Sequence, residues 1–250
     1  MILRRLADGI RKQDWFTVVV EVLIVVIGIF VGLQVDDWNK ERQNRELEQQ
    51  YLERLHADAI TAVKRQIGAR VWNDERSRTQ MVVLKALRSG NLPDDLLNDF
   101  STGLTHAGSH NPLIWQWGTV EELYSTGNIR LIRETELRDL IFATETNYRR
   151  NREIIAGATQ QIHISRGQIS LRFDPVEFGY SSGDSAIVHF DFDALVSDDE
   201  FVAAFSNLHL NSMRILSFSE SHLESLQQFE AGIARTRGLV PLADKRDEQQ

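Results

Sequence analysis

Residues 15–35 read Trp-Phe-Thr-Val-Val-Val-Glu-Val-Leu-Ile-Val-Val-Ile-Gly-Ile-Phe-Val-Gly-Leu-Gln-Val. At a helical rise of about 1.5 Å per residue this stretch is roughly 31 Å long. That matches the hydrocarbon core of a bilayer, about 30 Å. The segment therefore predicts a single transmembrane helix, and it divides the chain. Residues 1–14 form a basic tail, 15–35 the span, 36–240 a polar helical domain and 241–250 a flexible C-terminal tail.

The flanks of the span set its expected orientation. Arg4, Arg5, Arg11 and Lys12 precede it against Asp8 and Asp14. Basic residues beside a span favour the cytoplasmic side. The far flank carries Lys40, Arg42 and Arg45 among Asp36, Asp37, Glu41, Glu46 and Glu48, and acids count little in this rule. The expected topology is N-terminus inside and large domain outside. Val35-Asp36-Asp37-Trp38 follows the apolar run where a cleaved signal peptide would carry small residues, so the segment reads as an uncleaved anchor. Trp15 and Trp38 bracket it as interfacial aromatics do.

Inside the span, Glu21, Val25, Gly28 and Gly32 share one helical face. Gly28 and Gly32 form the small-xxx-small spacing that lets two helices approach closely, and an ionisable Glu21 in lipid calls for a partner or water. Two readings stay open. One is a self-association seam built on Glu21, Gly28 and Gly32. The other is a Glu21 that snorkels to the headgroups beside incidental glycines.

Beyond the span the periodicity is helical. Leu52, Leu55, Ala59, Val63 and Ile67 make an apolar stripe that lapses over the polar run Asn73–Gln80 and resumes at Met81, Leu84 and Leu87. The lapse predicts a helix that breaks there or projects past its neighbours. Ser89-Gly90-Asn91 ends it. Pro93 opens a short helix, residues 103–118 read as a loop, and Thr119-Val-Glu-Glu122 matches a capping box. A long helix from Glu134 carries Leu137, Ile141, Thr144, Tyr148, Ile155, Ala158 and Ile162 on one face. Ser197-Asp-Asp-Glu200 is a second capping box, opening a final helix through Ile233 that Gly238 and Pro241 close. Between them Ile169, Leu171 and Phe173, then Val188, Phe190 and Phe192, alternate with polar residues, so a small β-hairpin near 168–192 is one option. The expected fold is mainly α: a transmembrane helix continuing into an elongated antiparallel helical bundle.

Two motifs bring a family to mind: Val26-Ile-Gly-Ile-Phe-Val-Gly-Leu-Gln-Val-Asp-Asp-Trp-Asn39, and Glu122-Leu-Tyr-Ser-Thr-Gly-Asn-Ile-Arg-Leu-Ile132 followed by Glu136-Leu-Arg138. In these the chain resembles a family of bacterial single-pass membrane proteins known only as a domain of unknown function. The resemblance implies a bacterial inner-membrane setting and an uncleaved anchor. It implies no catalytic residue.

Composition excludes several functions. A net charge of −8 disfavours nucleic acid as a partner, and the absence of cysteine removes disulfides, thiolate metal sites and thiol nucleophiles. No P-loop, G-x-S-x-G elbow, H-E-x-x-H or dinucleotide fingerprint occurs. His106 and His110 lie four apart, but Gly108, Ser109 and Pro112 argue for loop histidines and not metal ligands. Asp191, Asp193, Asp198, Asp199 and Glu200 lack a Ca²⁺-loop spacing and read as helix N-terminal acids. Arg149, Arg150 and Arg152 read as a solvated face. Trp115, Trp117 and Tyr124 are the aromatic candidates for a ligand or partner patch, with a plug at one end of the bundle as the plainer reading.

These readings assign no catalytic residue, metal or cofactor. They predict a non-enzymatic interaction or scaffold protein in the bilayer, with a second copy or another membrane protein as partner. The alternative is an extracytoplasmic ligand-sensing bundle acting through a partner, since the tail of residues 1–14 is too short for an output domain. A membrane-tethered hydrolase ranks last.

Overall fold

The computed structural model describes residues 15–114, 117–177 and 187–244. Helix α1 runs Trp15–Ser89; a 3₁₀ turn at Asp94–Leu96 leads into α2, Leu97–Thr105; α3 is Gly118–Ser125, followed by a 3₁₀ turn at Asn128–Leu131; α4 is Thr135–Ile169. Two short strands, β1 (Asp174–Glu177) and β2 (Ile187–His189), precede α5 (Phe192–Ser197) and the long α6 (Asp199–Thr236). The fold is mainly α, as expected. The predicted tail 1–14, Gly179–Gly183 and residues 245–250 lie outside the described residues.

The chain divides into two compact units, residues 1–51 and 52–250. In the first, the described part is the N-terminal portion of α1, which among the described residues is the one helix long and apolar enough to cross a membrane. Every large apolar side chain from Val22 to Val35 is between 51% and 64% exposed.

In the second unit, α1 lies antiparallel to α6. Its pairings descend in order: His56 with Glu230, Gln66 with Ser219, Ser77 with Met213 and Gln80 with His209. Helix α4 is antiparallel to α6 as well, through Leu140 at Gly232, Asn147 with Ser225 and Ser165 with Asn207. Thus α1 and α4 run parallel. The antiparallel return that a short loop would supply comes from the segment 97–125. It descends along α1 through Asp99 on Arg78, Asn111 on Asn73, Ile114 on Gln66, Thr119 on Asp58 and Glu122 on Arg54.

The apolar stripes form the core where the period predicted them. Leu52, Leu55, Ala59 and Val63 on α1, Leu137, Ile141, Ile155, Ala158 and Ile162 on α4, and Phe201, Phe205, Leu208, Leu226, Phe229 and Ile233 on α6 are buried. At one end Phe100 packs 5.0 Å from Phe190 and edge-on to Phe192 at 5.7 Å, so the segment after the hairpin closes that core.

Several local expectations are corrected. The polar run Asn73–Gln80 neither breaks α1 nor projects into solvent: Asn73, Arg76, Ser77, Thr79 and Gln80 are buried. Helix α3 begins at Gly118, and Thr119, expected as its cap, instead donates its hydroxyl to Asp58 at 2.6 Å. Helix α6 is capped by Asp198, which accepts from the Phe201 N–H at 2.9 Å, while Ser197 turns back to the Asp193 carbonyl. The hairpin exists but is shorter than the alternation suggested, pairing Asp174 with His189 and Pro175 with Val188, because α4 continues to a buried Ile169. Helix α6 ends in a Schellman motif, with left-handed Gly238 and the Leu239 N–H on the Ala234 carbonyl at 2.8 Å.

Candidate functional site

Three places stand out chemically, and the first is on the apolar helix. Because α1 is unbroken, Glu21, Gly28 and Gly32 do lie on one face. All three are exposed, and a β-carbon at Gly28 or Gly32 would meet nothing within 4 Å. Trp38 is also exposed.

The second is the aromatic patch, which the structure splits. Trp115 lies outside the described residues. Trp117 is buried and stacks on Phe229 with ring centroids 4.5 Å apart, so it is the plug of the plainer reading. Tyr124 is 40% exposed. It lines an open groove of about 520 Å³ with Glu121, Ser125, Phe142, Glu145, Thr146 and Arg149. Burial, then the Glu145 carboxylate, push the Tyr124 hydroxyl above its ordinary pKa, with Arg149 opposing. Phe142, 64% exposed, went unnoticed in the sequence. Its signal was there: an aromatic beside buried Ile141 but off the apolar stripe of α4.

The third is the polar interior, which the sequence did not anticipate. Residues 109–114 lack the helix that would satisfy their own backbone, so side chains must do so. Asn73 takes the Asn111 N–H on Oδ1 at 2.7 Å and donates from Nδ2 to the Asn111 carbonyl at 3.2 Å. Gln66 accepts the Ile114 N–H at 2.9 Å and donates to the Ser219 hydroxyl at 2.7 Å. His222 donates from Nε2 to the Ile114 carbonyl at 2.9 Å. Burial holds the His222 imidazole below its ordinary pKa, against this hydrogen bond.

The histidines of the segment differ. His110 donates from Nδ1 to the Gly108 carbonyl at 3.2 Å and accepts the Thr159 hydroxyl on Nε2 at 3.0 Å, so both ring nitrogens are engaged. His106 has a buried Nε2 with no partner, and burial, then the charges of Arg76 and Arg166, lower its pKa. Among the described residues no three His, Asp or Glu side chains are grouped to hold a metal ion. The acidic cluster caps helices, with Asp191 on α5 and Asp198 on α6; Asp198 and Glu200 also bind Arg172. Arg149 and Arg150 meet Glu145 and Asn147 on their own helix.

Compared with known protein families, with curated proteins and with solved structures, the chain matches none.

Proposed function

We propose that this chain is a single-pass membrane-anchored interaction protein without catalytic activity, set in the inner membrane of a bacterium. Residues 1–14 face the cytoplasm and the helical domain stands on the other side. One observation carries the reading: among the described residues nothing covers the apolar side chains of Val22–Val35. Removing a side chain of this kind from water is worth about 1.5–3 kcal/mol, and lipid is the medium that matches the length of the run. The resemblance to the bacterial single-pass family supports the setting, and the Arg4, Arg5, Arg11 and Lys12 tail supports the orientation. The open face at Glu21, Gly28 and Gly32 supports association with a second copy or another membrane protein through that seam.

Two measurements test it. The full-length protein should resist carbonate extraction from membranes; recovery in the wash would overturn the anchor. Crosslinking in membranes should give a dimer or higher species that Gly28→Leu and Glu21→Leu weaken, and a strict monomer unaffected by either would remove the seam.

A second reading draws on the Tyr124–Phe142 groove, in which a ligand-sensing domain reports through a partner. A metabolite panel that raises Tm for the wild type but not for Phe142→Ala would favour it. Identical responses of the two proteins would end it.

A further inference from the structure

Arg76 is a buried cation without a hydrogen-bonded anion among the described residues. It is 7% exposed, its Nε is fully buried without an acceptor, and its guanidinium lies 4.7 Å over the Trp72 ring. It makes no ion pair among the described residues. Glu75 lends Arg76 its charge but makes its hydrogen bonds to Arg78, at 2.9 Å, as Asp99 does at 2.8 Å. A buried lysine can shed its proton, but a guanidinium cannot at working pH. A buried Nε–H left without an acceptor is destabilising.

The surroundings of Arg76 are fixed on both sides. Helix α2 touches α1 where Gly103 meets Thr79; a β-carbon at Gly103 would lie 2.6 Å from the Thr79 carbonyl oxygen. Asn111 is clamped to Asn73 by two hydrogen bonds. Arg76 sits between those contacts along α1, and His106 sits between them along the returning segment. Both residues thus lie in the stretch framed by those two contacts; His106 has a buried Nε2 with no partner among the described residues, and the charges that act on this imidazole are those of Arg76 and Arg166.

We propose that Arg76 and His106 form a binding site for one oxyanion group, a carboxylate or phosphate carried by a small solute. The guanidinium, oriented by Trp72, offers its planar fork to two oxygens. His106 adds one donor as the Nε2–H tautomer. Arg166 adds positive potential at His106, and Asn73 and Thr79 hold the frame.

The test uses full-length protein in detergent at constant ionic strength, titrated separately with inorganic phosphate, sulfate and acetate against sodium chloride. Wild type should show a saturable rise in Tm with at least one oxyanion, and comparing acetate with phosphate identifies the class. Arg76→Gln should abolish the saturable part. Arg76→Lys, which keeps the charge but not the fork, and His106→Gln should each weaken binding by about tenfold. If Arg76→Gln fails to fold, Arg76→Lys and His106→Gln decide the matter. No oxyanion response in wild type, or equal affinity in all folded variants, would overturn the proposal. Neither result depends on whether the apolar helix is in lipid.

Discussion

Gln66 on α1 and Ile114 on the returning segment are joined by a hydrogen bond of 2.9 Å from the Ile114 N–H to the buried Gln66 side-chain oxygen. The same amide donates to Ser219 on α6 at 2.7 Å, so one side chain ties three parts of the domain together. Replacing it with Leu keeps the volume and strands the Ile114 N–H and the Ser219 hydroxyl. Gln66→Leu should lower unfolding free energy by about 2–6 kcal/mol, at 1–3 kcal/mol for each of the two stranded groups. Denaturant titration of the full-length protein checks this, and a loss under half a kilocalorie on the order of measurement error would refute it.

Gly103 tests the close approach of α2 to α1. Gly103→Ala should destabilise by about 1–3 kcal/mol, because the added carbon meets the Thr79 backbone, which cannot swing away as a side chain can. Gly28→Ala should leave the Tm of the domain unchanged, since its β-carbon has open space. Equal effects of the two substitutions would contradict the packing described.

His56 and Glu230 form a buried pair that organises the C-terminal turn. His56 donates from Nε2 to Glu230 at 3.0 Å, Arg237 donates to His56 Nδ1 at 3.0 Å, and the Leu242 N–H is held by the other Glu230 oxygen at 2.9 Å. Glu230→Ala should cost about 2–3 kcal/mol, as hydrogen bonds to a carboxylate are lost. It should also expose residues 239–244 to protease ahead of global unfolding. Wild-type cleavage kinetics in that segment would count against the clamp.

Acid should weaken the domain before its carboxylates titrate. Burial lowers the pKa of His106, His110, His209 and His222 in the fold. The unfolded chain then binds more protons than the folded one once pH falls below the ordinary histidine value, about 6.5. The stability these four neutral rings carry is fully present above that pH and is lost as pH drops toward their lower folded values. Urea midpoints should fall between pH 7 and 5, with a shallower slope in His222→Gln. A flat profile over that interval would be incompatible with buried neutral rings.

The degree to which the fold could be read in advance differs by residue. Leu52, Leu55, Ala59 and Val63 repeat at helical spacing, and burial followed the spacing. Asn73, Arg76, Ser77, Thr79 and Gln80 have the composition of a solvated face and are buried all the same. What covers them comes from elsewhere in the chain, with Gly103 of α2 on Thr79, Asn111 on Asn73, and Met213 and His209 of α6 on Ser77 and Gln80, contacts about which local composition is silent. The aromatic patch was half legible. Trp117 and Tyr124 are seven apart and look alike as candidates, yet one stacks on Phe229 and the other opens onto a groove with Phe142.

By itself the sequence determined the helical class, the apolar run of residues 15–35, the stripe on each long helix and the acids in the first turns of α4 and α6. These follow from periodicity, length and backbone chemistry, which act within a few residues. Tertiary structure alone decided that α1 and α4 run parallel, that Asn111 and Ile114 are held by Asn73 and Gln66 of α1, and that Arg76 and His106 lie between the same two contacts. Such outcomes depend on which distant backbone groups must be satisfied and by whom, and only the assembled chain brings donor and acceptor together.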